Sequence, residues 1–191
     1  MSWIQTANGH LFDVLAPDPA KIDITDIAHA LSNICRYTGH TGVFYSVAQN
    51  SVLASLHITD AKFALAALMH DASEAYLGDV SRPLKKVLGK TYTDIEDRLE
   101  AVIARKYGYE YPYPDCVKEI DNALLETEFK HVMGGKQFDL DLGRMLDIPM
   151  RPWAPDRAER NFLERFDQLY GQPEFDFGLL SPRRLKAEPK L

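Results

Sequence analysis

The sequence holds 191 residues, 46% of them hydrophobic, enough for one well-buried core with at most a small appended subdomain. A formal net charge of -6 argues against a nucleic-acid polymer as partner, because counterion release from phosphates needs a basic face. Cys35 and Cys116 lie far apart without CxxC spacing, which excludes a zinc ribbon or disulfide framework, and no apolar run is long enough for a membrane span. With no secretory pattern at the start, the expectation is a soluble cytoplasmic protein with no membrane partner.

Residues 1–22 contain Gly9, Pro17 and Pro19 and read as a turn-rich lead-in with room for a short hairpin. Helical periodicity then dominates residues 23–171. Ile27, Leu31 and Ile34 recur behind caps at Asp23 or Thr25, and Ser46 is placed to cap a second helix with Val47, Asn50, Leu53 and Ala54 on one face. A third helix is expected over 60–77, closed by Gly78, and Ser81 with Pro83 signals another start. Thr93 and Glu96 have capping-box spacing ahead of a helix that Gly108 stops. An aromatic connector, "YEYPYPD", leads to a helix over 116–132 closed by two glycines. The last helix carries Ala158, Phe162, Phe166 and Leu169 on its apolar side, and 172–191 reads as a mobile tail. No repeat and no long alternating run is present, so the fold class is all-α.

Within "ALMHDASEAYLGDVSRPLKK", His70, Asp71, Glu74 and Asp79 fall in ten residues of a segment whose apolar pattern points inward. On a continuous helix His70, Asp71 and Glu74 form one patch. Two carboxylates about 4 Å apart repel by roughly 4 kcal/mol at an effective dielectric of about 20, so the patch needs a proton, a cation or a metal, and a divalent ion is the economical answer. Asp79 lies just past a helix C-terminus, where the macrodipole disfavours an anion. Further on, Asp121 interrupts the stripe made by Val117, Leu124 and Leu125. It reads either as a stripe-edge residue reaching water or as another metal ligand.

"HDASEAYLGD", followed by "RPLK" and by "IDNALLETE", closely resembles the HD-domain metal-dependent phosphohydrolases, among them small bacterial 5'-deoxynucleotidases and phage enzymes that strip triphosphate from dATP. The resemblance covers roughly Asp23 to Lys130. It implies one divalent ion (Co, Mn, Zn or Mg) held by an earlier His, the His-Asp pair and a distal Asp, so that His70, Asp71 and Asp121 match three ligands. Glu74 and Asp79 then match the acids that handle the water and the leaving-group proton. The implied substrate is a small-molecule deoxynucleotide, and relatives of this size often form homodimers.

The fourth ligand position falls on Asn50, where those relatives usually carry His. An amide oxygen is a harder, neutral donor. A site shifted toward Mg or Mn, a weakened site, and a disabled one that traps substrate all remain open. His40 and His57 are conceivable substitutes, though a surface or core histidine is the simpler reading of each.

By the same resemblance Arg36 and Tyr37 match an Arg-aromatic pair that holds phosphate or sugar and stacks a base, Pro83 matches a position that crowds the sugar 2' side, and Lys85 is the choice for a phosphate contact. The blander readings are a helix-end cation beside a core tyrosine and a helix-starting proline. The leading function is dNMP hydrolysis to deoxynucleoside and phosphate. The alternatives are a dATP-preferring triphosphohydrolase and a catalytically silent nucleotide-binding module.

Overall fold

Asp23 starts the helical part of the chain: its carboxylate accepts from the Thr25 amide, and α1 follows as Ile24–Asn33. Ser46 does the same for α2, Val47–His57, by accepting from the Gln49 amide. The computed structural model describes residues 2–134 and 145–171, and in it the helices continue as α3 (Ala64–Leu68), α4 (Glu74–Leu77), α5 (Arg82–Leu88), α6 (Lys90–Tyr107), α7 (Asp115–His131) and α8 (Pro155–Leu169). The expected tail, 172–191, lies outside the described residues. The lead-in forms a small antiparallel hairpin of β1 (Trp3–Gln5) and β2 (Leu11–Asp13), with Ile4 opposite Phe12. The fold is all-α apart from that hairpin.

Helices α1, α2, α3 and α8 pack together around Ile27, Leu31, Leu65, Leu68 and Phe162, each worth about 1.5–3 kcal/mol when removed from water. Phe12 reaches into this core from the hairpin and stacks on Tyr76 of α4, with ring centroids 4.2 Å apart. A smaller apolar cluster of Ala54, Ala67, Ile120 and Leu124 joins α2, α3 and α7. The elements of that second cluster present the functional side chains.

The single helix expected over 60–77 is not one helix. A 3-10 turn at Ala61–Phe63 leads into α3, the chain leaves helical geometry at Met69, and α4 begins only at Glu74. The cause is local. His70 Nδ1 donates to the Ala67 carbonyl at 2.9 Å, taking the acceptor that the amide of residue 71 would use in a continuing helix. The next backbone bonds, Ala72 to Met69 and Glu74 to Asp71, each span three residues instead of four.

The expected capping box at Thr93 is also displaced. Helix α6 begins at Lys90, directly after Gly89 with φ 59°, and the Thr93 amide already bonds the Gly89 carbonyl inside the first turn. Gly108, at φ 73°, ends α6 as expected. Helix α5 buries none of its residues; it lies between Gly78 and Gly89, both with positive φ.

Candidate active site

Helices α2 and α7, the break after α3 and the loop after α1 converge on one cluster. From the break, His70 points Nε2 toward Asp71 Oδ2 (3.2 Å) and Asp121 Oδ1 (3.7 Å) of α7, yet makes no hydrogen bond through that atom. With Nδ1 engaged at the Ala67 carbonyl, Nε2 is the nitrogen left to face the two carboxylates. Burial alone would push the His70 imidazole down, but Asp71 and Asp121 together carry it well above its usual range. Burial likewise opposes the charge on Asp71, and His70 and Arg36 outweigh it to hold that carboxyl low.

Two arginines supply much of the positive charge that the acids require. Arg36 Nη1 stands 3.2 Å from Asp71 Oδ2, and Arg82 Nη2 stands 2.7 Å from Asp121 Oδ2. Among the described residues no group of three or more His, Cys, Asp or Glu side chains is arranged to hold a metal ion as it stands. Three polar atoms in this region are nevertheless buried without a hydrogen-bond partner: Asn50 Oδ1, His70 Nε2 and Glu74 Oε2. Orphans of that kind call for an unseen ligand, ion or water. One imidazole nitrogen, carboxylates and an amide oxygen are a donor set that fits a divalent ion.

Asn50 sits fully buried on α2, and its amide nitrogen donates to Glu128 Oε1 at 2.6 Å. Glu128 also accepts from Tyr45 and Tyr37 hydroxyls, both at 2.8 Å, and from Arg36 Nε at 3.1 Å. Sequence reasoning missed this hub. The signal was present: Glu128 lies seven residues after Asp121, two turns along the same face of α7.

Glu74 is 5% exposed, and burial, with the charges of Asp71 and Asp79, pushes its carboxyl well above the usual range. Asp79 is also raised, by burial, although Arg36 opposes this. Lys85 reaches into the same region, 2.6 Å from Glu96 Oε1 and 3.8 Å from Glu74 Oε1. Glu96 and Arg82 are partners that sequence reasoning did not assign. Pro83 opens α5 on its exposed side. His40 and His57 are both exposed.

Tyr37 and Thr38 adopt φ 57° and 55°, the only non-glycine residues with positive φ among those described, and Gly39 follows at 78°. Such strain persists where surrounding contacts over-determine it. Here the Tyr37 hydroxyl is fixed by Glu128, and the base of the 36–45 loop is closed by two backbone bonds, Arg36 to Tyr45 and Val47 to Ile34.

The fold and cluster define a helical protein with a buried acid-and-histidine site at a broken helix. No family model matches the chain. It is 40% identical over 179 residues to the uncharacterized protein YfdR of Escherichia coli, covering 88% of this chain and 96% of the relative. It is 33% identical over 178 residues to the uncharacterized protein RCAP_rcc00048 of Rhodobacter capsulatus, covering 82% and 91%. The chain belongs to the family that includes these two proteins. A more distant likeness, 26% over 137 residues and covering 61% of this chain and 69% of the relative, is to the 5'-deoxynucleotidase PM0747 of Pasteurella multocida. Among the described residues no helix is long and apolar enough to cross a membrane, and Cys35 and Cys116 are both free thiols.

Proposed function

We propose that this protein is a metal-dependent phosphohydrolase of the HD-domain kind acting on deoxynucleotides, with dNMP hydrolysis to deoxynucleoside and phosphate as its reaction. The observation that carries the reading is the convergence of His70, Asp71 and Asp121, to which Asn50 is linked through Glu128 and Arg36, with buried atoms that lack a hydrogen-bond partner on His70, Asn50 and Glu74. The distant likeness to a 5'-deoxynucleotidase supports it.

His70, Asp71, Asp121 and Asn50 are the residues that would hold the ion, be it Mn, Co, Zn or Mg. Bound there, a divalent ion supplies Lewis acidity toward phosphate and a lowered pKa for water. The chain's own groups supply the rest. Arg36, fixed by Glu128 and Asp71, and Lys85 place cations beside the cluster to offset phosphate charge. Glu74, raised by burial, holds a proton that it can deliver to a leaving oxygen, and Asp79 is the second acid within reach of the same field. Tyr37 offers a ring held in place for the base, and Pro83 bounds the sugar side.

The second reading, a silent nucleotide-binding module, draws on Asn50 and on the arginines that already neutralise Asp71 and Asp121. Incubation with dAMP and dATP in added Mn, Mg, Co or Zn separates the cases. Orthophosphate from dAMP supports the proposal, and triphosphate from dATP moves it to a triphosphohydrolase. Nucleotide-dependent thermal stabilisation without product selects the silent module.

A further inference from the structure

The helix break at 69–73 leaves a lost hydrogen bond with two ends. In a continuing helix the Ser73 amide would donate to the Met69 carbonyl. Instead Ser73 N–H donates to Glu100 Oε1 of α6 at 3.2 Å, and the Met69 carbonyl, which the Ala72 amide reaches at 3.0 Å, takes its second hydrogen bond from the Tyr113 hydroxyl at 3.1 Å. The two substitutes are joined, since the Tyr113 oxygen also pairs with Glu100 Oε2: the single phenol proton goes to the Met69 carbonyl, and the protonated Glu100 carboxyl donates to the phenol oxygen. Glu100 is 4% exposed and Ser73 1%, so water does not compete. Tyr109 stacks on the Tyr113 ring at 6.1 Å and Tyr111 meets it edge-on at 5.1 Å, fixing the phenol from both sides.

We infer that Glu100 and Tyr113 are positioning residues: a side-chain bridge that takes both ends of one helical hydrogen bond and thereby holds the helix open where it carries His70 and Asp71. The local sequence favours a continuous helix through this segment, because "FALAALM" has high helix propensity and no breaker occurs before Gly78. The bridge opposes that preference from outside the segment. Neither residue touches the cluster itself, so both act through the backbone of 69–73. Their catalytic consequence rests on the proposed phosphohydrolase reading; the bridge itself does not.

The test is amide exchange at Ser73, read residue by residue by NMR on the full chain, in Glu100→Ala, Glu100→Gln, Tyr113→Phe and the control Ile103→Val on the same helix. Glu100→Ala is expected to speed Ser73 exchange by about ten-fold or more relative to wild type, as loss of one buried hydrogen bond implies, while Glu100→Gln, whose amide oxygen still accepts, recovers most of the protection. Ile103→Val leaves Ser73 protected. Wild-type protection of Ser73 in Glu100→Ala would overturn the inference. If Glu100→Ala does not fold, Tyr113→Phe decides: unchanged exchange across 69–73, with unchanged turnover, overturns it equally. With dAMP and Mn, Glu100→Ala and Tyr113→Phe are expected to lose kcat about ten-fold with little change in KM, as a misplaced site implies, and Glu100→Gln to restore it. A wild-type protein without turnover sinks the phosphohydrolase reading and leaves the exchange result to judge the bridge.

Discussion

The side-chain amide of Asn50 faces Glu128 through its nitrogen, and the carboxylate partner allows no other orientation, because two oxygens cannot share that 2.6 Å contact without a hydrogen between them. Asn50 Oδ1 is thereby turned away from Glu128 and left unpartnered. Glu128 thus selects which atom of Asn50 is offered to a ligand. Asn50→Leu, of similar size, removes one donor from a fully buried carboxylate and is expected to cost about 1–3 kcal/mol in denaturant unfolding. Asn50→His is expected to tighten Zn or Co binding in a calorimetric titration; unchanged affinity would remove position 50 from the ligand set.

Glu128→Gln tests the hub. Arg36 is 9% exposed and would keep its charge while losing the buried carboxylate that accepts from Nε. Breaking a buried pair from one side costs about 3–5 kcal/mol, which in a chain of this size lowers Tm by roughly 10 °C in a thermal melt. A loss below 1 °C would mean that Asp71 alone suffices for Arg36.

Glu74→Gln keeps the volume and removes the acid. Turnover of dAMP is expected to fall about 10²–10⁴-fold, with Mn affinity retained and Tm no lower than wild type, because a neutral amide suits the burial that already disfavours the carboxylate. Equal turnover would take Glu74 out of proton transfer.

Arg82→Gln separates electrostatic competition from stability. The Arg82 side chain is 55% exposed, so its pairing with Asp121 contributes less than about 1 kcal/mol to folding. The same guanidinium competes with any cation for Asp121. Mn titration is therefore expected to show tighter binding in the variant at nearly unchanged Tm, and weaker binding would mean that Arg82 orients Asp121 for the ion.

Glu100 gives the pH dependence a sign. Burial, with Asp71 adding to it, raises its carboxyl to about 7, and the hydrogen bonds from Ser73 and Tyr113 only partly oppose this. The folded chain therefore holds a proton that the unfolded chain releases between its ordinary value of 4.5 and about 7. The contribution is fully present below pH 4.5 and lost as pH rises through 7, an amount of about 3 kcal/mol. Urea unfolding of wild type and Glu100→Gln from pH 4.5 to 8 is expected to show wild type losing that amount relative to the variant; parallel curves would mean an ordinary Glu100.

The helical class, the caps at Asp23 and Ser46 and the apolar face of α8 were legible because each rests on residues within a turn or two of one another. The juxtaposition of His70, Asp71 and Asp121 was reached by way of a family resemblance, since nothing local ties α7 to the broken helix. The break itself was not legible. It depends on a His70 side chain taking the Ala67 carbonyl and on Glu100 and Tyr113, 27 and 44 residues from the atoms they bond. The Arg36–Glu128 pairing spans 92 residues and was equally beyond pattern reading. The role given to Lys85 as a phosphate contact now has to compete with Glu96, which already holds its ammonium group.

Helix α5 is seven residues without a buried side chain, set between Gly78 and Gly89 and tied to the rest by Arg82 on Asp121 and Lys85 on Glu96. A segment fastened by charge and not by apolar contact detaches at a free energy far below that of global unfolding. Its release would therefore depend on ionic strength. Among the described residues, limited proteolysis should nick 79–88 first. Opening at this helix is thereby uncoupled from the thermal stability of the core.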